Sequence, residues 1–149
     1  MALKQSIWAK GNEQSKRPQT SGALHTQRFI YRVPAVADAL AAADIVEIGE
    51  LPPFCRIIDA KIYTNGTFTG VTADVGILNG EYGDVTDQAR TSGNEIFAAA
   101  DLTTMTRLAK SDSLKIEPVE ASRGIGVKVS GAVTAAANKY IVLELTYQQ

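Results

Sequence analysis

The sequence predicts an all-β protein: an antiparallel β-sandwich, with a jelly roll as the first choice of strand path, and an extended N-terminal arm. Three observations carry this. Apolar and polar residues alternate in seven separate stretches, turn-forming residues separate those stretches, and the first 26 residues lack the alternation. A period of two is the signature of a strand with one buried face.

Taken in order, residues 27–33 place Phe29, Tyr31 and Val33 on one face and Arg28 and Arg32 on the other. Residues 44–51 set Val46 and Ile48 opposite Ile45, Glu47 and Gly49. Residues 56–63 set Ile58, Ala60 and Ile62 against Asp59 and Lys61. In residues 71–77, Val71, Ala73, Val75 and Ile77 point inward, with Thr72 and Asp74 outward. Residues 114–119 alternate Leu114 and Ile116 with Lys115 and Glu117. Residues 125–133 alternate Ile125, Val127 and Val129 with Lys128 and Ser130, and residues 140–147 set Ile141, Leu143 and Leu145 against Glu144 and Thr146. Asn65-Gly66 and Asn79-Gly80 are turn signals, because both residue types tolerate positive φ. Pro52-Pro53 ends a strand, since proline cannot donate to a ladder. Two stretches break the pattern. Residues 36–43 are alanine-rich and suit one helical turn, and Leu102, Met105 and Leu108 recur at helical spacing behind a potential Asp101 cap. So many strands in about 120 residues suit a sandwich or closed barrel, and long sandwiches without disulfides favour the jelly roll.

Residues 1–26 are rich in Gln, Ser, Lys, Asn and Gly, and bury too little apolar surface to fold alone. The chain therefore divides into an arm, residues 1–26, and a sandwich domain, residues 27–149. Charge divides in the same way. Residues 1–32 carry six Lys and Arg against Glu13, whereas the remainder carries nine against fifteen acids. A basic arm on an acidic body seeks an acidic partner: nucleic acid, another protein, or the body of a neighbouring copy. Trp8 between Ile7 and Ala9, with cations nearby, reads as an aromatic anchor for a protein groove. The candidate partner-binding residues are therefore Lys4, Ile7, Trp8, Lys10, Lys16 and Arg17. The same positive charges suit phosphates, but they are sparse and the acidic body would repel a duplex, so protein is favoured over nucleic acid.

Catalytic chemistry finds little support. His25 is the single histidine and lies in the arm, so no Ser or Cys has a rigidly placed base. Cys55 is the single cysteine, which excludes an internal disulfide and a cysteine-based zinc site; it reads as a buried inert thiol. Glu81, Asp84 and Asp87 share a loop, but their spacing is not that of a calcium-binding hand loop, and a solvated acidic surface explains them. Gly124-Ile125-Gly126 lacks the third glycine of a dinucleotide fingerprint and leads into strand pattern, so close packing or a bend explains it. No cofactor, metal or small-molecule substrate is expected. No apolar run approaches the ~20 residues of a membrane span, and the N-terminal residues lack the apolar centre of a signal peptide.

Residues 45–76 read IVEIGELPPFCRIIDAKIYT, then Asn65-Gly66, then an alternating run closing on Asp74-Val75-Gly76. With Phe97-Ala98-Ala99-Ala100-Asp101 and the terminal strand 140–147, this resembles the pattern of head-decoration, or cement, proteins of tailed bacteriophages. The resemblance covers residues 44–147. It implies a jelly roll or similar sandwich without catalysis or cofactor, assembled as a homodimer or homotrimer on the capsid exterior and bridging major capsid protein subunits. Such a protein waits in the host cytoplasm before joining the virion. Strand edges such as residues 141–147 offer one route to pairing between copies. The alternative is a carbohydrate- or receptor-binding sandwich of a phage tail or other assembly, with Tyr63, Phe68, Tyr82 and Tyr147 as its aromatic surface. A small-barrel enzyme comes third.

Overall fold

A computed structural model describes the chain apart from residues 16, 18–21, 37, 38 and 88. Among the described residues nine strands form, in chain order: β1 (Leu3–Gln5), β2 (Leu24–Arg32), β3 (Ile45–Leu51), β4 (Arg56–Asn65), β5 (Thr72–Ile77), β6 (Phe97–Asp101), β7 (Thr106–Arg107), β8 (Arg123–Val129) and β9 (Tyr140–Gln148). They make a five-stranded sheet, β1-β3-β8-β5-β6, and a four-stranded sheet, β2-β9-β4-β7. The pairs β2 with β9, β3 with β8, β4 with β7 and β5 with β6 are all antiparallel. The second half of the chain thus runs back along the first, and the resulting strip rolls into two sheets. This is the jelly-roll path, with β1 added in parallel beside β3.

The core lies between the sheets, where the alternating residues converge. Phe29 and Tyr31 of β2 and Ile141, Leu143, Leu145 and Tyr147 of β9 face Val46 and Leu51 of β3, Val75 of β5, and Ile125, Val127 and Val129 of β8. Each large side chain buried here contributes roughly 1.5–3 kcal/mol.

Several expectations change in the structure. In β4 the register shifts between Ile57 and Asp59. This bulge puts Ile57 inside and leaves Ile58 45% exposed, while Ala60 and Ile62 keep their inward positions. Residues 114–119 form no strand. A 3-10 turn spans Asp112–Leu114, Pro118 interrupts the stretch after it, and Leu114 is 75% exposed. No helix forms over residues 101–109. Asp101 ends β6 and its carboxylate accepts from the N–H and hydroxyl of Thr103, making a turn that sends the chain into β7. Among residues 36–43, two lie outside the described residues, and Leu40 bridges to Val133 instead of turning helically. Strand β9 is no edge: β2 and β4 pair along both its sides, so it cannot link copies. Among the described residues, the open edges are β1 and β6 in one sheet and β2 and β7 in the other.

The two sheets differ on their outer faces. On the four-stranded sheet, Arg28 and Lys61 flank Glu144, and Arg107 makes a two-point contact with Asp59, all at the surface. On the five-stranded sheet, the outward side chains of β3 are themselves buried, because residues 79–87, residues 89–92 and the N-terminal segment lie over them. Glu47 and Arg90 meet there at 3.0 Å with neither side chain exposed. Arg90 also donates to the carbonyls of Asn79 and Asp84, and Glu47 accepts from Gln5 Nε2 and the Gly83 N–H. Gly126 permits this cover, since a Cβ on it would overlap the Ser92 side chain. The Gly124-Ile125-Gly126 motif is therefore explained by close packing.

A candidate assembly surface

Over its described residues, the segment expected as an arm is folded onto the sandwich. Leu3–Gln5 is β1, and residues 24–26, assigned to the arm from sequence, open β2. Between them the Ser6 N–H donates to the Glu47 carbonyl, and backbone bonds from Lys10 to Ser6, Gly11 to Trp8 and Asn12 to Ile7 wind a tight turn. Trp8 is 8% exposed and meets Phe29 edge-on, with ring centroids 5.5 Å apart. That geometry adds about 0.5–1.5 kcal/mol to its burial. The groove that Trp8 fills thus belongs to its own chain.

The six candidate residues therefore separate. Trp8 is core, while Ile7 beside it is 46% exposed. Lys4 lies 4.0 Å from the buried Asp44 carboxylate, and Arg17 lies 3.1 Å from Glu50, whose side chain is also buried. Part of the basic segment is thus matched to acids of the same molecule. Lys10 is exposed, and Lys16 lies outside the described residues.

What remains outward-facing is a groove of about 640 Å³ between the N-terminal segment and β2, where the two sheets present open edges. Leu3, Ile7, Ile30, Pro34 and Val85 give it an apolar lining; Lys4, Lys10 and Arg32 also line it. Val85 is 52% exposed, and the Arg32 guanidinium sits 5.9 Å from the Tyr140 ring centre. An exposed aliphatic lining beside an arginine suits a protein-docking surface.

A second apolar patch lies at the opposite end of the sandwich, beyond the last residue of β3. Phe54 is 51% exposed and Val119 40%, and the Phe54 N–H donates to the Val119 carbonyl. Ile58 and Leu114 line a shallow cleft of about 210 Å³ nearby. Phe54 has φ of 58°, a strained conformation for a bulky residue. Sequence reading missed this patch by pointing Ile58 and Leu114 inward. Pro52-Pro53 was the available signal, because a residue just after a strand-ending Pro-Pro sits at a turn.

The remaining candidates are explained within the chain. His25 lies in β2, stacked on Tyr147 with centroids 6.2 Å apart. Cys55 is buried, and burial first and Glu50 second push its thiol pKa up, as suits an unreactive thiol. Asp84 and Asp87 accept backbone N–H groups two residues on, and the Thr86 contacts hold the Asp84 carboxyl below its usual pKa. Among the described residues no cluster of His, Cys, Asp and Glu is placed to hold a metal, and no helix is long and apolar enough to cross a membrane. Of the four aromatics, Phe68 and Tyr147 are buried, while Tyr63 and Tyr82 are half-buried.

No protein-family model and no curated protein matches the chain. Solved structures do. A chain in the acidic stable capsid structure of Helicobacter pylori bacteriophage KHP30 shares 13% identity, with 87% of this chain and 90% of that one covered and a TM-score of 0.56. A chain of the cyanophage Pam1 capsid asymmetric unit shares 12%, with 93% and 94% covered and a TM-score of 0.51. These two establish a common fold. A chain in the capsid of Ralstonia phage GP4 goes further, at 36% identity over 99% of this chain and 98% of that one, with a TM-score of 0.86. At that identity over the full length of both chains, the protein belongs to the family of this GP4 capsid chain and is a structural, capsid-related phage protein of the virion.

Proposed function

We propose that the protein decorates the exterior of a tailed-phage capsid and stabilises it by bridging major capsid protein subunits. The observation that carries this reading is the full-length similarity to a chain of an assembled phage capsid. The surface supports it. A bridge needs two separate contacts, and the molecule presents an apolar groove with cations at one end and the Phe54 patch at the other. Clamping subunits gains from multivalency, since each added contact becomes intramolecular once the first has formed. The groove takes the shell, with Ile7 and Lys10 as its exposed contacts. Self-association as a homodimer or homotrimer falls to the part of the β2 edge outside the groove, residues 24–29, which among the described residues pairs only with β9.

The test is co-sedimentation of the purified protein with phage heads lacking it. Removing residues 1–25 would strip β1 and Trp8 from the fold, so point substitutions are the better comparison. The full chain is expected to pellet with heads. An Ile7→Asp, Lys10→Glu double variant should bind about ten-fold or more weakly, equivalent to ~1.4 kcal/mol or more, with an unchanged melting temperature. Failure of the unaltered chain to pellet overturns the decoration reading.

A further inference from the structure

At the end of the sandwich that carries Arg32 and Asn65, the loops after β4 and β8 enclose a cleft of about 350 Å³. Phe68, Val71 and Val133 give it a buried apolar wall, and Thr67, Thr69 and Thr134 supply exposed hydroxyl residues. Lys139 also lines the cleft, yet only 5% of this residue is exposed. Its Nζ donates to the Thr134 carbonyl at 2.7 Å and lies 5.4 Å from the centre of the Phe68 ring. Among the described residues it makes no ion pair.

This is an unusual placement for lysine, which is almost never fully buried unless paired. An ammonium has three donors, and one carbonyl and one ring face leave it without a counter-charge. The fold nevertheless makes room for it. Gly66 turns with φ of 100°, and a Cβ there would run into the Lys139 stem.

We infer that this cleft binds a carboxylate on a short aliphatic group, with the Lys139 ammonium and the threonine hydroxyls holding the anion and the apolar wall holding the carbon chain. A single cation suits a single negative charge, and the wall suits methylenes. The aliphatic carboxylate comes either from an Asp or Glu side chain of the shell or from a free acid. Only the first source rests on the capsid reading.

Two measurements on the full chain separate these cases. The first titrates sodium butyrate against sodium chloride at matched ionic strength and follows backbone amide signals. Saturable shifts confined to residues 66–70 and 132–139 are expected, retained in Lys139→Arg and lost in Lys139→Met. Melting temperatures verify that both variants fold; the Met variant gives up one hydrogen bond to the Thr134 carbonyl and should lose about 1–3 kcal/mol at most. The second measures head binding, where Lys139→Met is expected to bind about ten-fold more weakly than the unaltered chain, or ~1.4 kcal/mol. Butyrate shifts with undiminished head binding assign the site to a free acid, and weakened head binding by the Met variant assigns it to a shell carboxylate. If no form binds heads, the capsid reading fails and the butyrate titration alone decides the site. Absence of butyrate shifts, together with head binding indifferent to Lys139→Met or absent altogether, overturns the inference and leaves Lys139 as a clasp on the Thr134 carbonyl.

Discussion

The outer faces of the two sheets share the same alternating sequence pattern and end in opposite environments. On the four-stranded sheet, Arg28, Lys61, Glu144, Asp59 and Arg107 pair in solvent. On the five-stranded sheet, the outward Glu47 is enclosed with Arg90 and takes bonds from Gln5 and Gly83. The difference is one of cover. The N-terminal segment and the described part of residues 79–92 are held over one face; the buried ion pair is the hub that ties Gln5, Gly83 and the Asn79 and Asp84 carbonyls to β3, and Ser6 bonds β3 through its backbone. Charge on an uncovered face contributes solubility and little stability. Charge under a cover fixes where the cover sits, and here it holds Gln5, two positions before Ile7.

The largest test of this contrast is to remove one partner of the hub. Arg90→Met leaves Glu47 buried without its cation and should cost about 3–5 kcal/mol in urea unfolding; a loss below ~1 kcal/mol would mean the pair is solvated like its counterparts on the other sheet. Next comes the space beneath the cover. Gly126→Ala places a methyl group where Ser92 sits and should cost about 1–3 kcal/mol, with increased proteolytic nicking in residues 79–92. On the uncovered face, Arg28→Ala should change stability by no more than ~1 kcal/mol, and by less in high salt. The smallest effect is in acid. The folded pKa of Asp84 is depressed by its bonds to Thr86, so its contribution to holding the covering loop is present above the unfolded pKa and fades as pH falls through the folded one. Asp84→Asn should remove that part of the acid dependence, read as amide exchange in residues 84–89 below about pH 4.

The inner face was legible in the sequence wherever alternation ran unbroken. Ile125, Val127 and Val129, and Ile141, Leu143 and Leu145, point inward as their period of two requires. Legibility stopped where a single residue changes phase: one bulge in β4 exchanges Ile57 for Ile58, and nothing in the residue types marks it. It stopped again where long-range contact decides. Glu47 reads as solvent-facing because alternation reports the sheet's own two faces and not what later covers them. Trp8 was found as an anchor, but sequence does not say whose groove an anchor fills; Phe29 lies twenty-one positions away along the chain. Strand order depends on the same kind of distant pairing, which is why the jelly-roll path rests on the observed registers.

We propose that the protein sits on a phage head with its N-terminal groove toward the shell. A cryo-electron-microscopy reconstruction of deficient heads resaturated with the protein tests this most directly. Ordered copies are expected on the capsid exterior, with Ile7, Lys10 and Val85 against the shell and the outer face of the four-stranded sheet in solvent. Copies seated on Arg28, Glu144 and Arg107, or heads that stay bare, would contradict it.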